Sequence, residues 1–444
     1  MCSGRDPDDR CIVTGSRQAG DVGRPSAAAP KVGLFGLIGS GNSGNDASAE
    51  TVLSYLREAH PDAVVDTMTG GPERARAAYG IEATPMFWFQ KFEHRTSGAS
   101  ATLLKALGKG IDTFRIASWV RRHDAVIVPG AGPLENTLPQ RAWGFPYALF
   151  VLAASGRLLG TKVALVSVGA DIIKRPSTRR LSNATVRLAS YRSYRDVFSR
   201  DAMRKRGIDT SSDRVYPDLV FGIPTPPYEP GDPKLIGVGV MDYHGRDDDR
   251  KDAAEIHTRY VETMTGFSRW LLDNGYRVRL LGGDSKFDIK VAEKIQADLQ
   301  RERPELEPSQ LTVAVAASYA ELIREMSPLG MIVATRYHNV MCALKLCKPT
   351  ISLGYSQKFI SLMTDMGLGE FHQFASSVDM DRLIQQFKEM ESRRSELQRQ
   401  MAERNAIHVQ SLADQFTVLS EQLLPNSKPV QAGAPDGLAR SGLS

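Results

Sequence analysis

Arg336 and His338 stand two residues apart in the stretch LGMIVATRYHNVMCALKLCKPTISLG, residues 329–354. Arginine offers a planar fork of donors that fits a carboxylate or a phosphate. Histidine titrates near neutral pH and can give or take a proton. Together they suit an anionic substrate whose reaction needs proton transfer; the opposing reading is a surface arginine beside a packed histidine. Their surroundings favour the first. The apolar run Gly330 to Ala334 reads as a strand covered on both faces, as in a parallel sheet. Thr335-Arg336-Tyr337-His338 follows as a polar turn, and ligands of open parallel sheets collect beyond the carboxyl ends of the strands. A short helix is expected over Asn339 to Leu346, stopped by Lys348-Pro349, with a further strand at Thr350 to Leu353.

Other residues fall at comparable places. Gly39-Ser40-Gly41-Asn42-Ser43-Gly44 matches G-x-G-x-x-G after a strand at Lys31 to Ile38, and Asp46 opens the next helix as its N-cap or first-turn acid. Asp66 is expected at the end of the following strand, where a ribose-binding acid belongs. The same loop serves any ligand approached by backbone amides, or a tight turn with no ligand. Gly130 and Gly132 follow the strand Asp124 to Val128 and permit close backbone approach. Arg200 is expected at the end of a strand at Asp196 to Ser199, with a salt bridge to Asp201 as its competing role. Lys358 can point an ammonium at the same cleft, or be merely exposed. His244 and His257 have no partners at metal-ligand spacing, so no metal site is expected.

Length and charge bound the rest. At 444 residues the chain exceeds one core, so two domains are expected. A formal net charge of +5 and the lack of a dense basic run with interleaved aromatics argue against nucleic-acid binding. The four cysteines, Cys2, Cys11, Cys342 and Cys347, form no disulfide framework or zinc pattern and read as free thiols. Met1 to Gly23 has no apolar core segment, and Trp143 to Leu159 falls short of a spanning length and reads as a buried helix. A cytoplasmic protein is expected.

The order of elements is strand, glycine or polar turn, helix, repeated twice, which predicts an α/β protein of two doubly wound, Rossmann-like domains facing a cleft. Residues 1–30 and 425–444 read as disordered tails, 31–223 as an N-terminal domain and 234–382 as a C-terminal domain. Between the domains, 224–233 holds five prolines and reads as a stiff linker. Residues 383–424 carry apolar positions three, four and seven apart, the pattern of one or two amphipathic helices. A helix is expected over Val186 to Ser193 and another over Ala202 to Arg206. Met86-Phe87-Trp88-Phe89 reads as core, with a lid over a sugar face as the alternative.

Taken in order, these pieces resemble the polysaccharide pyruvyl transferase family over about Lys31 to Leu368. The matching pieces are Gly41-Asn42-Ser43-Gly44-Asn45-Asp46, Val128-Pro129-Gly130-Ala131-Gly132, Ser199-Arg200-Asp201, Pro217-Asp218, Arg336-Tyr337-His338 and Gly354-Tyr355-Ser356-Gln357-Lys358. The chain departs from the family pattern where Asn45 precedes Asp46, where Ala131 replaces a glycine, and after Val168, where Gly-Pro is missing. The resemblance implies a fold similar to B-type glycosyltransferases, with 31–223 on the acceptor side and 234–382 on the donor side. It implies transfer of pyruvate from phosphoenolpyruvate, the donor substrate, to a saccharide or glycolipid as a ketal, with no cofactor. On that footing His338 is the general acid/base, Arg336 and Arg200 hold the donor's carboxylate and phosphate, and Lys358 assists the leaving phosphate. Gly41, Asn42, Gly44, Asp46, Gly130 and Gly132 are further ligand-binding candidates. A capsular or wall polymer, a glycolipid or a glycopeptidolipid all qualify as acceptor, and a lipid-linked one implies peripheral membrane association. Three other readings stay open: a nucleotide-sugar glycosyltransferase, a dinucleotide-dependent oxidoreductase, and a sugar-binding relative without turnover.

Overall fold

The structure, a computed structural model, describes residues 29–89, 99–135, 142–245, 252–283 and 286–425. The tails expected at 1–30 and 425–444 lie outside the described residues, apart from Ala29, Pro30 and Pro425, as do Cys2 and Cys11.

Two parallel sheets carry the chain. The first contains β1 (Lys31–Gly36), β2 (Val64–Thr69), β3 (Glu82–Pro85), β4 (Ala125–Pro129), β5 (Lys162–Val168), β6 (Tyr191–Tyr194) and β7 (Arg214–Val215), in the spatial order β3-β2-β1-β4-β5-β6-β7. Its helices are α1 (Ser43–Ala59), α2 (Pro72–Tyr79), α3 (Ala99–Val120), α4 (Phe145–Leu159), α5 (Pro176–Leu188) and α6 (Val197–Lys205). The second contains β8 (Asp232–Gly239), β9 (Arg277–Leu281), β10 (Leu311–Ala314), β11 (Leu329–Ala334), β12 (Thr350–Gly354) and β13 (His372–Phe374), ordered β10-β9-β8-β11-β12-β13. Its helices are α7 (Ala253–Asp273), α8 (Lys286–Glu302), α9 (Tyr319–Met326), α10 (Tyr337–Lys345) and α11 (Gln357–Asp365). Strand order reverses between β1 and β4 in one sheet and between β8 and β11 in the other, and crevices open at such reversals. The central strands are buried on both faces, which is why Leu329–Ala334 and Ala125–Pro129 read as unbroken apolar runs.

Local chemistry set several boundaries differently from the sequence expectation. Asp196 caps α6, its carboxylate accepting the Ser199 amide, so 196–199 starts a helix and is not a strand. The strand is Tyr191–Tyr194, and the helix expected at 186–193 ends at Leu188. The expected helix at 202–206 is the second half of α6. Helix α10 begins at Tyr337, so Arg336 is its N-cap residue and His338 lies in its first turn, not in a polar turn ahead of it. Met86 is fully buried in the core that holds Phe35 and Trp119, with Phe87 packed at its edge.

The two halves are fastened at the connection and again by the C-terminal helix. The sheets are joined through residues 216–231, and β8 already begins at Asp232. Lys345 donates to the Phe221 carbonyl at 2.7 Å and Lys348 to the Glu229 carbonyl at 2.7 Å, pinning both parts of that connection to the α10–β12 turn. After α12 (Met380–Ser392), α13 (Arg394–Leu423) returns toward the first sheet. Its Asn405 side chain donates to the Leu344 and Lys345 carbonyls, each at 3.0 Å, while Gln415 bonds Ser167 at 3.0 Å and Ser193 at 2.7 Å.

The loop after β4 carries local strain. Gly130 has φ +47°, and Ala131 follows at φ +59°, a conformation that costs a residue with a Cβ about 1–2 kcal/mol. Ala131→Gly is expected to raise the thermal midpoint by a few degrees, in keeping with a net gain of about 1 kcal/mol. A lower midpoint in the melting curve would show that the methyl group contributes more by packing than it costs in strain.

Candidate active site between the two sheets

The side chains at the strand ends meet across the cleft. Gly44, in the first turn of α1, faces His338, in the first turn of α10, so closely that a Cβ at position 44 would overlap the imidazole ring. Lys358, in the first turn of α11, reaches the other half of the molecule and donates to Glu135 Oε2 at 3.2 Å. Glu135 follows β4 and is buried, and its other oxygen accepts from Arg195 Nη2. Arg195 follows β6 and donates through Nη1 to Asp218 Oδ2 at 3.0 Å. The Arg195 guanidinium and the Lys358 ammonium lie 4.9 and 4.8 Å from the centre of the Tyr337 ring, within cation–π range. The first turns of α1 and α10 thus meet at His338, and Lys358 from the first turn of α11 adds its charge to the same place. A helix start presents amide hydrogens and partial positive charge, so the arrangement favours an anion.

Arg336 enters from the second sheet. Its Nε donates to Asp288 Oδ2 at 2.7 Å and its Nη2 to Oδ1 at 2.8 Å, a bidentate pair with a fully buried carboxylate. Asp288 also accepts the Asp242 amide at 2.8 Å. Gly283 makes room for the pair, since a Cβ there would collide with both partners. The fork is therefore held in one orientation before any ligand arrives.

Burial pushes the His338 imidazole down to about 3; Lys358, Arg195 and Arg336 act in the same direction and Glu135 opposes them. The ring is therefore neutral at physiological pH. Burial, with Arg382 adding to it, holds His372 down to about 4.

The remaining candidates from the sequence divide clearly. Asn42 caps α1, its side chain accepting the Gly44 and Asn45 amides at 3.2 and 3.1 Å. Asp46 lies in the first turn and accepts the Gly39 amide at 2.5 Å. Gly41 takes φ +91°, open to glycine. These residues fold the loop onto itself, and His338 fills the space over its last glycine. Asp66 lies within β2, not at its end; its carboxylate accepts the Trp119 indole N–H at 2.8 Å and pairs with His123 at 3.1 Å. Gly130 and Gly132 let the β4 loop pass close to Ser48 and Glu135. Arg200 lies on α6, and its ion-pair partner is Asp201 at 3.9 Å. His244 and His257, expected to lack partners at metal-ligand spacing, both lie beside Asp242, whose Oδ1 is 3.0 Å from His244 Nε2 and 3.5 Å from His257 Nδ1.

Sequence reasoning missed Glu135, Arg195, Asp288 and Tyr337. Arg195 directly follows a strand and was hidden by placing that strand five residues too late. Glu135 trails a glycine turn at a strand end, which is a usable signal. Nothing local marked Asp288. A cavity of about 510 Å³ adjoins the cluster; it is lined by Arg195, Asp218, Tyr337, Asp365, Arg404 and His408 and does not reach His338.

The polysaccharide pyruvyl transferase family model matches residues 42–357, from the α1 cap to the start of α11. No protein of curated function matches the chain by sequence. A putative UDP-N-acetylglucosamine 2-epimerase from Listeria monocytogenes has a similar structure, with TM-score 0.58 and 11% identity over 92% of this chain and 100% of that one. The Neisseria meningitidis UDP-GlcNAc 2-epimerase gives 0.53 and 12% over 88% and 100%. Acinetobacter baumannii MurG gives 0.51 and 14% over 88% and 100%. At these identities the likeness concerns the fold, which is the two-domain architecture of B-type glycosyltransferases. Among the described residues, no helix is long and apolar enough to cross a membrane.

Two predictions follow from the packing at His338. Gly44→Ala would normally gain helix propensity, about 1 kcal/mol, but here it should destabilise the protein by about 1–3 kcal/mol through overlap with the ring. In a His338→Ala background the same change should become neutral or stabilising, and a double-mutant cycle by denaturant melts reads the difference. Equal effects in both backgrounds would mean that the two first turns do not touch in solution. The second concerns acid. A histidine whose folded pKa lies below its unfolded value near 6.5 takes up a proton on unfolding, so stability falls as pH drops from about 6.5 toward 3 for His338 and toward 4 for His372. His338→Gln should flatten this decline, measured as thermal midpoint against pH; an unchanged slope would remove His338 as its source.

Proposed function

The chain belongs to the polysaccharide pyruvyl transferase family, and on that premise we propose that it moves the pyruvyl group of phosphoenolpyruvate onto two hydroxyls of a saccharide or glycolipid. The observation that carries this reading is His338, neutral and under the charges of Lys358, Arg195 and Arg336 where the first turns of α1 and α10 meet. Such a site suits a small, highly charged anion whose conversion requires proton movement.

In the reaction two C–O bonds form at the central carbon of the enolpyruvyl group, and the bond from that carbon to the phosphate oxygen breaks. One hydroxyl proton ends on the methylene carbon, which becomes the methyl group, and the other leaves with phosphate. Neutral His338 is able to accept a proton from an attacking hydroxyl. An anion bound beside Lys358 and Arg336 offsets their field and raises the proton affinity of the imidazole. Donor binding thereby readies His338 to hold the proton that the methylene carbon needs. Lys358 suits the phosphate as a point charge; the pre-oriented Arg336 suits a planar carboxylate. Arg200 remains an outer donor-binding candidate. A cytoplasmic location fits a phosphoenolpyruvate-dependent enzyme, and peripheral membrane contact would follow from a lipid-linked acceptor.

Glycosyl transfer from a nucleotide sugar is the second reading, favoured only by structural neighbours whose names carry UDP-sugars. A thermal-shift screen with phosphoenolpyruvate, UDP-sugars and nicotinamide cofactors separates the readings. A ligand at a hundredfold excess over its dissociation constant adds about 2.7 kcal/mol of apparent stability. The shift is expected with phosphoenolpyruvate and should shrink in Lys358→Met and Arg336→Lys. Arg336→Lys is the informative change, because Arg336→Ala would strand Asp288 as a buried unpaired charge at a cost of about 3–5 kcal/mol. Once an acceptor is in hand, His338→Ala should lower phosphate release by about 10²–10⁴-fold. A shift with a UDP-sugar and none with phosphoenolpyruvate would replace pyruvyl transfer by glycosyl transfer.

A further inference from the structure

We propose that Asp242, His244 and His257 form a binding site for a divalent transition metal of the zinc class beside the Arg336 clamp. The three residues come from two elements: Asp242 and His244 from the loop after β8, and His257 from the first turns of α7. One ligand atom from each lies within 4.8 Å of the others. Asp242 Oδ1 is 3.0 Å from His244 Nε2 and 3.5 Å from His257 Nδ1. Zinc bonds to nitrogen and carboxylate oxygen are about 2.0–2.1 Å, so neighbouring corners of a zinc tetrahedron stand about 3.3–3.4 Å apart. The two measured spacings bracket that edge. The imidazole rings stack, with centres 4.4 Å apart and planes 11° apart, and each keeps one nitrogen within 3.5 Å of the same carboxylate oxygen.

The loop is held in position without a metal. The Met241 amide donates to Tyr260 Oη at 3.2 Å, and the Asp242 amide to Asp288 at 2.8 Å. Tyr243 packs against Tyr260 and Tyr355. Fixed ligands lose less freedom on binding, and outer partners of this kind orient metal ligands. His244 is half exposed, with 50% of its side-chain surface open, which gives an ion a path in. Two imidazoles and one carboxylate suit zinc, cobalt, nickel or iron better than calcium or magnesium, which prefer oxygen. With three protein ligands, a fourth position stays open to water or to an anion. The alternative for the same residues is a histidine–aspartate–histidine hydrogen-bonded cluster that binds no ion.

This site stands independently of the donor reading above, because its test uses metal alone. Tag-free full-length protein is treated with chelator and titrated with Co²⁺, a spectroscopic stand-in for Zn²⁺, followed by Zn²⁺ displacement. The expected result is stoichiometric binding with visible tetrahedral cobalt bands, bleached by zinc, and loss of both in Asp242→Asn, His244→Ala and His257→Ala. The metal-free His244→Ala protein should melt at the parent temperature, since that side chain is half exposed, which separates ligand loss from unfolding. No cobalt band in the parent, or bands that persist in the His244 and His257 variants, would mean an adventitious ion only and would overturn the proposal.

Discussion

The carboxylate of Glu135 is the interaction on which the closed arrangement depends. It lies between Arg195, from the same half of the molecule, and Lys358, from the other. A buried carboxylate with two cationic partners is far easier to hold ionised than one alone. Lys358 in turn crosses the cleft to a partner that is buried rather than to a surface charge, where a pair would contribute little. Gly132 and Gly169 are required beneath it, because a Cβ at either would collide with its oxygens. The same cluster sets the field at His338: two of its cations lower the proton affinity of the imidazole while Glu135 moderates them. Burial is the larger cause of the neutral histidine, and the charges that fasten the halves add to it.

Arg336 shows a different solution to the same problem. A free arginine at a strand end would be mobile and hydrated. Asp288 removes that mobility with two hydrogen bonds and also fixes the Asp242 loop through the backbone. The cost is partial neutralisation of the arginine's charge; the gain is a fixed fork direction, which is what recognition of a planar anion needs. Lys358 and Arg336 are thus each held by a buried carboxylate, the ammonium by Glu135 across the cleft and the guanidinium by Asp288 within its own half.

The family resemblance and the motif in Arg336-Tyr337-His338 were legible because the strand ahead of them is continuously apolar and the site rule for parallel sheets is local in its evidence. The same rule failed for Arg195. Tyr191-Arg192-Ser193-Tyr194 alternates polar and aromatic residues, whereas Val197-Phe198 mimics a strand, and the Asp196 cap that makes it a helix is decided by one hydrogen bond. The glycine loop at Gly39 to Gly44 was legible as a loop but not in its surroundings. Its pattern fits a cofactor cradle, but only the opposing half of the molecule reveals that His338 occupies the space over Gly44.

By itself the sequence determined the alternation of strands and helices, the two parallel sheets, and the placing of glycines and charged residues at strand ends, since hydrophobic period and turn chemistry act over a few residues. Tertiary structure alone decided which strand ends face each other. It brought Glu135 to Lys358 over a separation of 223 residues, Asp288 to Arg336 over 48, and two histidines to Asp242. Those pairings depend on the strand order of each sheet and on how the halves close. Both are set by packing between distant segments, and neither leaves a periodic trace along the chain.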